Sequence, residues 1–131
     1  MGISGLARSK RFYAEGFCWT PIFENDEIAF YQMNGFVLGT WLQAGLEGDM
    51  QRSGLCRPGA FALARNVGSA GEVQVVIDSL ALAGGRILRD GDAPAHGGFR
   101  GYVADPDDHA WEIAWNPAWA IDDRGLVTFG L

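Results

Sequence analysis

The sequence predicts an α+β fold in which a strand, a helix and three further strands follow one another twice, giving two βαβββ modules. Three observations predict it. Asn34-Gly35 separates two alternating apolar runs, the strongest short-range sign of a β-hairpin. Ser69 and Glu72 stand at capping-box spacing ahead of a run with Val73, Val76, Ile77 and Leu80 on one helical face. The order of elements before residue 44 then returns after residue 58. Each module lays a helix on one face of its sheet and leaves the other face free to curve around a shared cavity, a cup.

Module one covers about residues 1–43. Gly2 to Ser4 is a stub, so the first strand is shortened. Leu6, Ser9, Phe12 and Tyr13 recur at helical spacing with charges opposite, which predicts a helix over 6–15. Strands are expected over Trp19–Glu24, Ile28–Met33 and Phe36–Leu42. Residues 44–58 (AGLEGDMQRSGLCRP) lack periodicity and read as a linker. Module two, about 59–117, opens with a strand over Ala60–Arg65. Its capped helix ends at Gly84-Gly85, where a left-handed residue is easily supplied. Strands over Arg86–Arg89, Phe99–Ala104 and Ala110–Trp115 follow. The last two are joined by an Asp105-Pro106 turn in which Asp108 tolerates the left-handed conformation. Residues 118–131 form a tail that wraps the body or crosses to a partner, with Trp115, Trp119, Phe129 and Leu131 as apolar area to bury.

Composition narrows the function classes. A chain of 131 residues suits one domain with one core. A hydrophobic fraction of 48% and a mean hydropathy of +0.01 exclude a disordered tail protein. No apolar run approaches the ~20 residues that cross a bilayer, so no membrane role is expected. The charged N-terminus lacks a signal-peptide core, which makes cytoplasmic localisation the expectation. Cys18 and Cys56, far apart and outside any CxxC, are expected to be free, buried or half-buried thiols. A net charge of −6 and a single lysine, Lys10, speak against nucleic acid as a partner. Arg8, Lys10 and Arg11 fit the solvated side of the first helix.

Three stretches, LARSKRFY at 6–13, NGFVLGTW at 34–41 and GGFRGYVADPDDHAWEIAWNP at 97–117, resemble the vicinal-oxygen-chelate superfamily, that is, glyoxalase, bleomycin-resistance and dioxygenase proteins. The resemblance covers nearly the whole chain. It implies the glyoxalase/bleomycin-resistance fold, a homodimer, and a divalent metal held by one side chain from the first and one from the last strand of each module. Glu112 matches the final carboxylate ligand. The other three places fail: residues 1–4 contain no histidine, Val37 to Trp41 no carboxylate, and Arg65 stands near where similar relatives carry a histidine. A guanidinium cannot ligate a metal, and one carboxylate holds one poorly.

The resemblance therefore points to a small-molecule ligand bound in the cup without a complete metal site and without a cofactor. Alternation places Glu112, between Ala110 and Ala114, toward the cup, and Trp111, Ile113 and Trp115 under a helix. His109, three residues away, falls on the opposite face and reads as a solvated turn residue. Arg65 either holds Glu112 bidentately where the metal would sit or stands at the strand end in water. Trp41, Phe99 and Tyr102 would be walls beside Arg100, with His96 a gate and Asp90–Gly98 a lid. The alternative is a lyase, isomerase or dioxygenase of the glyoxalase type that depends on a divalent metal such as Zn, Ni, Mn or Fe. A metal-free enzyme with Glu112 as general base is the third reading.

Overall fold

The computed structural model describes residues 1–51, 53–54, 58–59, 61–95 and 97–130. Its elements are β1 (Gly2–Ile3), α1 (Leu6–Phe17), β2 (Phe23–Glu24), β3 (Ile28–Gln32), β4 (Val37–Leu42), α2 (Gln43–Met50), β5 (Leu63–Asn66), α3 (Ala70–Leu82), β6 (Arg86–Asp92), β7 (Phe99–Ala104) and β8 (Ala110–Trp115), with β9 (Ala120–Ile121) and β10 (Val127–Thr128) in the tail. The fold class is the expected α+β pair of βαβββ modules. One open sheet runs β1-β4-β3-β2, another β5-β8-β7-β6, and β9 with β10 forms a small hairpin. In both sheets the first strand of the module lies parallel to its last, and the other pairings are antiparallel.

α1 and α3 turn their apolar faces to a single core. α1 buries Ser9, Phe12, Tyr13, Gly16 and Phe17, and α3 buries Val73, Ile77 and Leu80. They touch each other because Gly16 has no side chain: a Cβ there would come within 2.7 Å of Leu80 Cδ2. α1 also packs on β3 and β4, and α3 on β6, β7 and β8. Ser69 accepts the Glu72 backbone N–H at 3.3 Å, and Glu72 returns to the Gly68 N–H at 3.0 Å, so the capping box forms one residue wide of its usual return. Gly84, at φ 101, ends the helix as expected.

The modules are also joined through polar contacts. Asp105 is 4% exposed, and its carboxylate accepts the Tyr13 hydroxyl at 2.7 Å and the backbone N–H groups of Asp107 and His109 at 2.9 Å each. Trp111 Nε1 donates to the Tyr13 hydroxyl oxygen at 3.3 Å. Asp107 Oδ1 takes the Ser4 N–H, the Ser4 hydroxyl and the Arg8 guanidinium at 2.8, 2.7 and 2.9 Å. Asp108 adopts the left-handed conformation at φ 70.

Several expectations need correction. His109 is not solvated: packed against β1, it is 8% exposed and its Nε2 lies 2.8 Å from the Gly2 carbonyl oxygen. Cys18 is free but exposed, because it caps α1 in the left-handed conformation with its side chain outside the core. The run from Trp19 is strand only at its end. The Trp19 N–H closes α1 on the Tyr13 carbonyl, which lays its indole flat on Phe17 at 4.3 Å. The stretch read as a linker begins with α2, whose Gly45 and Leu46 pack on Trp41 and Gly2. Of the stretch expected to be a lid, Asp90–Gly98, the part to Asp92 is instead the end of β6, with the Gly91 N–H held by Gln74 at 3.2 Å. Ala60, Cys56 and Leu131 lie outside the described residues.

Candidate functional site

Strand register decides which side chains share a face. In the second sheet Ala64 pairs with Glu112 and Arg65 with Ile113. Ile113 is fully buried toward the helices, so Glu112 and Ala64 point outward and Arg65 inward. Both readings of Arg65 are therefore corrected: it lies on the face opposite Glu112, and it is half-buried rather than out in water. Arg65 Nη1 reaches the Phe17 carbonyl at 3.5 Å instead, with its guanidinium 5.5 Å from the Phe17 ring centre. Burial lowers the Arg65 pKa, which Cys18 and Glu72 partly counter.

The outward partner of Glu112 on β7 is Tyr102. Tyr102 has a raised pKa, through desolvation first and then through its hydrogen bond to Glu112 and the charge there, while Arg100 and Arg89 pull it down. Both arginines engage Asp92, Arg89 at 2.6 Å and Arg100 in a direct ion pair. Trp41 stands on the outward face of the first sheet, paired with Gly2 and half-covered by α2. Phe99 is on the inner side, opposite Trp115 and packed on the core, so it is not an outward wall. His96 lies outside the described residues.

These registers test the metal site. The outward pair on the first and last strand is Gly2 with Trp41 in module one, and Ala64 with Glu112 in module two. Glycine and alanine carry no side-chain donor atom, and an indole nitrogen only donates a hydrogen bond. Among the described residues no three His, Cys, Asp or Glu side chains gather at one point. The donor set of this chain does not fit a divalent ion at these positions.

A cleft opens elsewhere, at the free edge of β5. Its volume is about 630 Å3, and its walls include Trp19, Trp111, Arg65, Asn66, Phe36 and Leu126. The β9–β10 hairpin crosses it, fastened where Asn34 Nδ2 donates to the Arg124 carbonyl at 2.7 Å. The tail thus wraps its own chain. Of the candidate site residues named from the sequence, Arg65 lines this cleft and the other described ones do not. Trp19 and Asn66 were missed: Trp19 read as strand, and Asn66 ends β5 beyond the limit expected. Trp111 was placed correctly under a helix, yet its edge also reaches the cleft.

Residues 2–113 match the family model described as the Glyoxalase/Bleomycin resistance protein/Dioxygenase superfamily. The chain belongs to this superfamily. A glyoxalase-related enzyme from Fulvimarina pelagi is 56% identical, over 100% of this chain and 94% of that one, with a TM-score of 0.97. A hypothetical protein from S. aureus shares the fold at 16% identity, 88% and 89% coverage and a TM-score of 0.79. So does a glyoxalase/bleomycin resistance protein/dioxygenase family enzyme from Burkholderia phytofirmans PsJN, at 13% identity, 88% and 93% coverage and a TM-score of 0.78. No curated protein compared with the chain matches it significantly. The superfamily's scaffold is thus intact here. No helix among the described residues is long and apolar enough to cross a membrane.

Proposed function

We propose that this glyoxalase-superfamily chain binds a small organic molecule and does so without a complete metal site of its own. The observation that carries the reading is the β5-edge cleft, whose 630 Å3 falls in the ~300–1,000 Å3 range of small-molecule pockets and whose aromatic walls are interrupted by a few polar groups. The donor-free side chains of Gly2, Trp41 and Ala64 support the metal-free part. Exposed Phe23 and Val37, each at 51%, support a homodimer in which a second copy covers the outward face of the first sheet. A cytoplasmic setting belongs to the same reading.

One observation favours the alternative of a metal-dependent lyase, isomerase or dioxygenase: Glu112, at the position the family resemblance gives to a ligand, stands on the outward face paired with Tyr102. Calorimetric screening of small organic ligands in the presence of a chelator separates the two. Ligands should bind the chelated protein and weaken severalfold in Phe36→Ala, while Val75→Ala, on an exposed helix face, leaves binding unchanged. Binding that disappears with chelator, or that ignores Phe36→Ala, contradicts the proposal.

A further inference from the structure

Resting on the reading of the β5-edge cleft as a ligand site, we infer that it selects organic carboxylates, with Arg65 as the group that takes the carboxylate. Arg65 lines the cleft, and among the described residues no carboxylate lies within ion-pair distance of it. The other arginines seen in ion pairs, Arg8, Arg86, Arg89, Arg100 and Arg124, all have an aspartate. Glu72, the acidic group whose charge Arg65 feels, is committed to the Gly68 N–H and the Ser69 hydroxyl. The long bond to the Phe17 carbonyl uses one of five guanidinium N–H donors.

A half-buried guanidinium left this way has lost hydration without gaining an anionic partner, and a ligand oxyanion supplies one. The planar fork matches a carboxylate through two parallel hydrogen bonds, which a point-charge ammonium does not reproduce. The apolar body of the ligand then lies against Trp19, Phe36 and Leu126, with Asn66 and Gln32 as further hydrogen-bonding groups. The site is separate from the outward Tyr102–Glu112 face, where Glu112 would repel the same carboxylate. In a chain of net charge −6, such selectivity has to come from this local cation rather than from the overall field.

The test is isothermal calorimetry of the full chain with benzoate, 2-naphthoate and indole-3-acetate, each against its primary amide, for the unaltered protein, Arg65→Gln and Arg65→Lys. The expected result is that at least one acid binds tenfold or more tighter than its amide. Arg65→Gln abolishes that preference, and Arg65→Lys restores it only in part. If Arg65→Gln does not fold, a reduced preference in Arg65→Lys with amide affinity unchanged gives the same answer. Amides that bind as tightly as acids, with sensitivity to Phe36→Ala, overturn the carboxylate selectivity and leave the ligand site standing. Absence of binding by every acid and amide overturns the inference and counts against the cleft itself.

Discussion

Asp105 shows how one side chain in a turn can tie distant parts of the chain together. The Asp-Pro turn was legible in the sequence, but the carboxylate's role toward Tyr13, 92 residues away, was not, because a distant donor leaves no local signal. Burial raises the Asp105 pKa above its ordinary 3.8, against the bond from Tyr13 and the charge of His109. The folded state therefore holds this proton more tightly than the unfolded chain. The resulting stabilisation is full below about pH 3.8 and is lost as pH rises through the raised value. Asp105→Asn should melt below the unaltered protein, since an amide cannot accept all three hydrogen bonds. Thermal melts across that pH range should show the gap narrowing as pH rises; a widening gap would contradict the assignment. Arg65 gives the complementary lesson. Alternation within β8 correctly turned Glu112 outward, but the facing of Arg65 depends on how β5 registers with β8, and a one-residue difference reverses it.

Elements with strong alternation or caps were read nearly to their ends. β7 and β8 have the expected limits, and α3 begins at its capping box. α2 was not legible, since QAGLEGDM has two glycines, no side-chain cap and no apolar stripe. It forms because Gly45 lets the Trp41 indole approach: a Cβ there would stand 2.6 Å from Trp41 Nε1. Gly45→Ala should loosen α2, read as faster amide hydrogen exchange over residues 43–50 with α1 and α3 unaffected. Unchanged exchange would mean that another contact holds the helix. The α1–α3 crossing is tighter still. Gly16→Ala should cost about 1–3 kcal/mol by overpacking against Leu80, measurable by urea denaturation. A neutral outcome would show that Leu80 can give way.

Across the whole molecule, the scaffold of the superfamily persists, while Gly2, Trp41 and Ala64 present no metal-donor side chain on the outward face of its first and last strands. The fold class, both modules and the facing of Glu112 away from the helices were visible in the sequence. The cleft was not, since it joins Trp19, the edge of β5 and the tail hairpin, segments more than 40 residues apart in the chain. The exposed aromatic face of the first sheet predicts self-association: light scattering after size exclusion should give twice the 14.2 kDa chain mass, reduced toward one chain by Phe23→Asp. A monomer at all concentrations would remove the dimer from the account. The most direct test of the central claim is the metal content of the purified protein by elemental analysis, paired with calorimetric titration of nickel, zinc, manganese and iron(II). The account expects no stoichiometric metal and no tight binding. About one ion per chain, lost in Glu112→Ala, would contradict it.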